Sequence, residues 1–220
     1  MNGHASDGGT GMAGEVIRTG GKINLFLFIT GVRSDGYHEL YSLFLPLPEP
    51  VDKLIFSPAA RPGGLSVRCA TEGIDPGRNT LTRAYELYAE AAGFAPAVDV
   101  ELVKGIPHGA GLGGGSADGA QMLLWLQRHA PAPLAGEKLT AIAARVGADV
   151  PFFLRHRPCL AEGIGERLSE VPSGVEGCSC VLLCPPVRVN TAWAYAAWDR
   201  ERASFSLRER KKAEKNNRTR

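Results

Sequence analysis

A glycine-rich stretch between residues 105 and 118 has the clearest chemical meaning in the sequence. It reads Gly-Ile-Pro-His-Gly-Ala-Gly-Leu-Gly-Gly-Gly-Ser-Ala-Asp, with six glycines between 105 and 115. So many glycines cost backbone entropy, which favours a segment that approaches a ligand closely and points N–H groups at it. Alternation over Val98–Val103 predicts a strand before the loop, and helical spacing from Ala117 to Gln127 predicts a helix after it. Because free N–H groups and a helix dipole favour a phosphate, we interpret the stretch as a phosphate-binding loop rather than a linker.

The residues of the loop separate it from three other glycine motifs. A P-loop needs a lysine where Gly115 stands, and a nucleophile elbow needs a glycine where Asp118 stands. Gly109, Gly111 and Gly114 satisfy the dinucleotide-binding pattern G-x-G-x-x-G. That motif also requires a second strand that ends in an acidic residue about 20 residues later. A proline-containing segment and another predicted helix follow instead, so the dinucleotide interpretation is disfavoured.

Polar residues in three other segments are candidates for a site beside the loop. The period of two along a predicted strand places Lys22 and Asn24 on one face, roughly 6–7 Å apart. Tyr37 and His38 follow a turn signal, Ser-Asp-Gly. Asp149 precedes Val-Pro and suits the N-cap of a helix, which would also fix its carboxylate. In isolation, each of these residues also has an ordinary structural explanation: a solvated lysine, a hydrogen-bonding pair or a helix cap.

Three motifs, taken in order, resemble those of the GHMP kinases, which are small-molecule kinases with a non-Walker nucleotide site. They are Lys22-Ile-Asn-Leu-Phe-Leu with Gly36-Tyr-His38, the glycine loop, and Gly147-Ala-Asp-Val-Pro-Phe152. The resemblance extends from about Gly20 to Trp198. The family pattern usually has a serine where Ala117 stands and an alanine where Gly119 stands. Neither difference removes a backbone N–H donor.

The resemblance implies an ATP-dependent kinase that phosphorylates a hydroxyl of a cytidine diphosphate sugar alcohol for isoprenoid precursor synthesis. Asp149 would be the catalytic base, and Lys22 would orient it and stabilise charge on the transferring group. Mg²⁺ would bridge the β- and γ-phosphates; Ser116 is one hydroxyl that can reach it, and the metal ligands stay unassigned. Asn24, Tyr37, His38 and Tyr195 would bind the substrate. The implied ATP-binding residues are Pro107, His108, Gly109, Ala110, Gly111, Leu112, Gly113, Gly114, Gly115, Ser116 and Ala117.

Two alternatives remain open from the sequence. The first is a GHMP kinase for another small alcohol, such as mevalonate, homoserine or a sugar, although Lys22-x-Asn24 and Gly36-Tyr-His38 argue against it. The second is a non-catalytic or weakly active nucleotide-binding relative. It is motivated by the segment after Gly177, where a predicted strand, Val181–Cys184, and a helix, Thr191–Arg200, precede a charged tail with no second glycine loop. These last elements are expected to expose apolar surface.

Composition places the chain among ordinary globular proteins. Its 220 residues are 44% hydrophobic and 22% charged, and no apolar run approaches the roughly 20 residues that cross a bilayer. Five cysteines, an odd number without a zinc-type spacing, favour reduced thiols in a cytoplasmic protein. The formal net charge of +2 includes +5 from residues 208–220, so the remainder sums to −3. The expected partner is therefore a small molecule rather than a nucleic acid or a membrane, and the oligomeric state is not predicted.

The predicted fold class is α+β, as a two-domain GHMP kinase fold with an incomplete C-terminal domain. We expect a disordered extension at 1–14, an ATP-binding domain at 15–170, a partial second domain at 171–207 and a basic tail at 208–220. The predicted strands are 22–29, 40–45, 53–57, 65–69 and 98–103. Helices are predicted at 80–92, with Asn79 as N-cap and Gly93 as C-cap, from about Ser116 after the loop, and at 137–146.

Overall fold

The computed structural model describes residues 14–60, 62–185 and 189–202. The chain forms two compact units, the first ending at Cys180 and the second beginning at Val181. The described part of the second unit contains one helix, over residues 191–202. The first unit contains β1 (Glu15–Val32), β2 (His38–Pro58), β3 (Leu65–Arg68), α1 (Thr80–Ala92), β4 (Val98–Val103), α2 (Gly114–His129), α3 (Gly136–Val146), α4 (Val150–Arg155), β5 (Cys159–Gly163) and β6 (Arg167–Glu170).

The long strand β2 is the centre of the sheet. One edge of β2 pairs with β1 in an antiparallel hairpin. Its other edge pairs with β5 over residues 40–44 and with β4 over residues 53–58, both antiparallel. β3 adds in parallel to β4, and β6 adds antiparallel to β5. The mixed sheet and its helices confirm the α+β class, and the predicted strands at 40–45 and 53–57 are two parts of one strand.

The helices pack on the sheet through apolar faces. Asn79 caps α1 as predicted, since its side-chain oxygen accepts from the Thr82 N–H, and Gly93 ends the helix at φ 62°. Trp125 of α2 stacks on Phe56 of the sheet with a centroid separation of 4.6 Å. Such burial of large side chains supplies most of the free energy that holds helix to sheet. The largest fully buried residues are Trp125, Tyr88, Phe56, Phe152, Phe153, Leu54, Leu81, Met122, Leu123 and Leu126.

The simple alternation predicted for β1 is interrupted. Register shifts occur between Gly20 and Lys22, between Asn24 and Phe26, and between Ile29 and Gly31. Each shift rotates the following side chains relative to a regular strand. Leu25, within the second shift, and Leu27, just after it, are 49% and 43% exposed, so neither side chain is buried against the core. Lys22 and Asn24 precede the second shift and do share a face.

The segment Val181–Cys184 is not a strand, which corrects the prediction. Val181 and Leu183 are 86% and 88% exposed, because no described residue packs over them. The predicted extension 1–14, apart from Gly14, and the predicted tail 208–220 lie outside the described residues. In the described part of the chain, no helix is both long enough and apolar enough to cross a membrane.

Candidate functional site

The glycine loop has a backbone suited to an anion. Gly109, Gly111 and Gly113 have φ angles of 77°, 76° and 74°, all in the left-handed region. The intervening Ala110 and Leu112 stay at negative φ, since His156 is the one non-glycine residue with positive φ in the described chain. Alternation of the two backbone conformations turns successive N–H groups towards a common point and forms an anion-binding concavity. The glycines at alternate positions are therefore required by the loop conformation.

Helix α2 begins at Gly114, two residues earlier than predicted, with Gly113 as its N-cap. Its first intrahelical bond joins the Ala117 N–H to the Gly113 carbonyl at 2.9 Å. The N-cap makes no side-chain hydrogen bond, and no described residue accepts from the N–H groups of Gly114, Gly115 or Ser116. These groups carry the partial positive charge of the helix dipole. An anion at this helix start would satisfy all three.

The loop packs directly against the lysine predicted to act with it. The Lys22 N–H donates to the Leu112 carbonyl at 2.8 Å. A Cβ at Gly113 would come within 2.8 Å of the Phe153 ring and 3.2 Å of Lys22 Cγ. Gly21 has no room for a side chain either, because a Cβ there would lie 2.7 Å from the Leu112 carbonyl oxygen. The structure thus brings β1, the loop and α4 together within van der Waals contact.

The ammonium group of Lys22 lies at the centre of this contact. The residue is 5% exposed, and its Nζ donates to Asn24 Oδ1 at 2.6 Å. Asp149 Oδ2 lies 3.3 Å from the same nitrogen, and the Phe44 ring centroid lies 4.5 Å away. A buried cation needs such partners because its desolvation is costly. Lys22, Asn24 and Asp149, predicted from separate motifs, therefore form one charged cluster.

Asp149 occupies the N-cap position of α4 but does not act as a cap. Its side chain makes no capping hydrogen bond, and its backbone has φ −86° and ψ −11°, outside the extended region usual for a cap. The carboxylate instead pairs with Lys22 and remains 31% exposed. The prediction that capping fixes this carboxylate is thus wrong, because the ion pair holds it. Its exposure leaves it accessible to a ligand hydroxyl.

A second charged cluster beneath the loop was missed from the sequence. Lys104 Nζ donates to Asp52 and, at 2.7 Å, to Asp118 Oδ2. Asp52 Oδ1 accepts from the N–H groups of Gly105 and Ile106, both at 2.8 Å. This cluster ties the end of β4, the start of the loop and the first turns of α2 to β2. A lysine directly before the glycines was the one available signal.

The ionisable groups of this cluster differ in how well the charged form of each is stabilised. The pKa of Asp118 is raised to about 7, chiefly because the carboxyl is buried; Lys104 partly offsets this rise, and Asp52 adds to it. Burial lowers the pKa of Lys104, but the two carboxylates outweigh that effect and its net pKa is raised. Asp118 Oδ1 is buried and has no hydrogen-bond partner among the described residues. One lysine therefore faces two carboxylates, of which Asp118 is the less well stabilised as an anion.

A cavity of about 720 Å³ lies beside the start of α1. Its lining includes Arg78, Asn79, Thr80 and Arg83. A Cβ at Gly115 would lie 3.3 Å from Thr80 Oγ1, so Thr80, which lines the cavity, lies next to the first turn of α2. None of these cavity residues was predicted as part of the site, because the sequence shows Asn79 only as a helix cap. Their position fits a ligand that extends from the loop.

The remaining predicted residues lie on several different elements. Tyr37 and His38 lie at the tip of the β1–β2 hairpin, where His38 pairs with Val32, ten positions from Lys22 along β1. Tyr195 is in the helix of the second unit. Pro107, His108 and Ala110 are exposed on the loop. Ala117 is fully buried and its N–H stays within α2, so it lies beneath the loop surface.

Comparison with known proteins gives a consistent set of relatives. The family model "GHMP kinases N terminal domain" matches residues 79–157. The 4-diphosphocytidyl-2-C-methyl-D-erythritol kinase of Nitratidesulfovibrio vulgaris (strain DP4) is 56% identical over 183 residues, covering 83% of this chain and 64% of the relative. The enzyme of that name from Bacteroides fragilis (strain YCH46) is 40% identical over 190 residues, covering 86% of this chain and 69% of the relative. This chain therefore spans 64% and 69% of the length of these two relatives.

Solved structures are similar in fold. A crystal structure of 4-(cytidine 5'-diphospho)-2C-methyl-D-erythritol kinase is 44% identical, with a TM-score of 0.61 over 71% of this chain and 55% of that chain. The homoserine kinase of Cytophaga hutchinsonii superposes with a TM-score of 0.54 at 16% identity, over 84% of this chain and 64% of that one. At such low identity the second likeness concerns the fold alone.

Proposed function

The chain belongs to the GHMP kinase family, and on that basis we propose that it transfers a phosphoryl group from ATP to a small-molecule hydroxyl. The acceptor we propose is the 2-hydroxyl of 4-diphosphocytidyl-2-C-methyl-D-erythritol, in the synthesis of isoprenoid precursors. One observation carries the proposal: the Lys22–Asn24–Asp149 cluster packs against a glycine loop with an anion-binding backbone. The relatives of that name at 56% and 40% identity support the choice of substrate.

The loop and the start of α2 would hold the ATP phosphates. The loop glycines have left-handed backbone conformations, and the N–H groups of Gly114, Gly115 and Ser116 have no partner among the described residues. Together they offer fixed dipoles to the negative charge of the phosphates. The cavity beside Thr80 would give room for the nucleoside, and its lining carries the Arg78 and Arg83 guanidinium groups together with the Glu86 carboxylate. Because these groups are already oriented, little reorganisation is needed when the nucleotide binds.

Asp149 and Lys22 would act at the acceptor hydroxyl. The partly exposed Asp149 carboxylate would accept the hydroxyl proton as the oxygen attacks the terminal phosphorus and ADP leaves. Lys22, buried and held by Asn24, would orient that carboxylate and stabilise negative charge on the transferring group. Phosphoryl transfer depends mainly on alignment and charge stabilisation, and this cluster provides both. Asn24 retains one N–H and one oxygen lone pair for the substrate.

The donor set near the loop fits Mg²⁺, which prefers oxygen ligands and is bound largely through nucleotide phosphates. Ser116, in the first turn of α2, offers a hydroxyl oxygen beside the proposed phosphate site. We propose this side chain as one that would hold the ion, because Asp149, as the proposed base, must keep an oxygen for the acceptor hydroxyl. When bound, the ion would neutralise charge on the phosphates.

The hairpin tip is ten positions from Lys22 along β1, so a substrate that contacts both must be elongated. A cytidine diphosphate sugar alcohol has its base at one end and its reacting hydroxyl at the other. We propose that Tyr37 and His38 contact the cytosine while Asn24 holds the acceptor end. Phe26, Phe28 and Tyr41 form an aromatic surface along the same hairpin, with centroid separations of 5.4 and 5.6 Å from Phe26. Such rings can stack against a pyrimidine.

The decisive experiment measures ADP release by the purified chain with ATP, Mg²⁺ and 4-diphosphocytidyl-2-C-methyl-D-erythritol. Substrate-dependent ADP release that is lost in Asp149→Asn is the expected result. Parallel reactions with mevalonate, homoserine and galactose test the family alternatives, and preferential turnover of any of them would refute the cytidine substrate. Nucleotide binding without turnover of any acceptor would instead indicate a nucleotide-binding protein.

A further inference from the structure

Ser42 connects to the Lys22 cluster through an unbroken chain of hydrogen bonds. Asn24 Nδ2 donates to Ser42 Oγ at 2.9 Å, and Ser42 Oγ donates to the Phe26 carbonyl at 2.6 Å. On its other side, Asn24 Oδ1 accepts from Lys22 Nζ at 2.6 Å. Ser42 itself is fully buried on β2, where it pairs with Leu27 of β1 and Ala161 of β5. No part of the mechanism above uses it.

The chemistry of these groups gives the chain a single direction. An ammonium group has only donors, so the atom of Asn24 that faces Lys22 must be the carbonyl oxygen. The Asn24 amide nitrogen then faces Ser42, which must accept. The only hydroxyl proton of Ser42 is used on the Phe26 carbonyl, so its oxygen is turned towards Asn24. Lys22 and Ser42 therefore impose the same orientation on the Asn24 amide.

The backbone explains why Ser42 reaches this position. The register shift between Asn24 and Phe26 leaves an extra residue in β1, so Asn24 pairs with Phe44 while Leu27 pairs with Ser42. Bulges of this kind redirect side chains next to functional sites. Here the shift lies between the two groups that Ser42 joins, the Asn24 side chain and the Phe26 carbonyl. The hydroxyl thus holds both ends of the irregular segment.

From this geometry we propose that Ser42 is a positioning residue for phosphoryl transfer, which holds the Asn24 amide so that Lys22 and Asp149 keep their alignment. The proposal rests on the proposed function. Ser42 touches neither nucleotide nor acceptor and acts through Asn24. Its loss would leave the amide held by Lys22 alone, and small displacements at reacting groups reduce rates steeply. A purely structural hydroxyl would change stability without changing turnover.

The test compares Ser42→Ala and Ser42→Thr with Ser57→Ala, a control on the same strand whose hydroxyl donates to the Asp99 carbonyl at 3.4 Å. Loss of one net hydrogen bond predicts a fall of roughly ten-fold in kcat for Ser42→Ala with KM for ATP unchanged. Ser42→Thr, which keeps the hydroxyl, should recover most of the rate, and Ser57→Ala should keep it. If a urea titration shows that Ser42→Ala is not folded, Ser42→Cys is used in its place. Its thiol is similar in size to the serine hydroxyl and is a weak acceptor.

A second measurement does not depend on activity. In NMR spectra of the full chain, hydrogen exchange of the Asn24 side-chain amide should accelerate in Ser42→Ala and stay unchanged in Ser57→Ala. Unchanged exchange, or an unchanged kcat in an active enzyme, would overturn the proposal. If the wild-type chain turns over no acceptor, the proposed function fails. In that case the exchange measurement still decides whether Ser42 orients Asn24.

Discussion

Replacing Asp118 by asparagine should change how stability depends on pH. The pKa of Asp118 rises from 3.8 to about 7 on folding, chiefly because the carboxyl is buried. The native state thus binds this proton more tightly than the unfolded state, so the free energy of unfolding falls as pH rises between these two values. Its contribution is greatest below about pH 4 and is lost by about pH 7. Asparagine cannot ionise, and it leaves Lys104 and Asp52 as a balanced pair.

The magnitude follows from linkage between protonation and folding. With pKa values of 3.8 and about 7, ionisation of Asp118 lowers the wild-type free energy of unfolding by roughly 2–3 kcal/mol between pH 5 and pH 8. Asp118→Asn should lack this fall, so its stability relative to wild type should improve by that amount over the same range. Taking the difference in unfolding free energy between the two proteins removes the contributions of the carboxylates that both contain.

Urea denaturation followed by circular dichroism at pH 5, 6, 7 and 8 measures this difference. Asp35→Asn is the matched control, because its carboxylate lies on the exposed hairpin tip. That variant should follow the wild-type pH dependence closely. Parallel curves for wild type and Asp118→Asn between pH 5 and 8 would refute the assignment of a raised pKa to the buried Asp118 carboxyl.

Three further predictions concern catalysis and binding. Asp149→Asn should lower kcat by roughly 10²–10⁴ with little change in nucleotide affinity, because the amide keeps its size but cannot accept the proton; near-normal turnover would exclude it as the base. His38→Ala should raise KM for the cytidine substrate by roughly ten-fold and leave KM for ATP unchanged. Equal effects on the two KM values would mean that the hairpin tip is wrongly assigned to cytosine binding. Gly111→Ala should raise KM for ATP selectively. Its φ of 76° disfavours a side chain although a Cβ there has nothing within 4 Å. Unchanged ATP kinetics would show that the loop conformation does not govern binding. At Gly113, by contrast, a valine would also collide with Phe153 and so destabilise the fold.

The sequence alone determined the features of this protein that depend only on neighbouring residues, such as helix ends and strand alternation. Asn79 and Gly93 predicted the ends of α1 because capping depends on a few neighbouring residues. The alternation of Val98–Val103 predicted β4 with its observed bounds. Closely spaced glycines predicted a loop between strand and helix. Lys22-x-Asn24 predicted two side chains on one face, because a period of two needs only three residues.

Tertiary structure decided what depends on residues far apart in the chain. The register shifts that end the alternation of β1 arise from its pairing with β2, which no short window of sequence contains. Asp149 holds Lys22 instead of capping α4, because a buried ammonium 127 positions away stabilises the carboxylate more than a helix start does. The cluster of Asp52, Lys104 and Asp118 spans 66 positions, so only folding brings its charges together. Burial there, which changes the pKa of Asp118, likewise exists only once the sheet and α2 have packed.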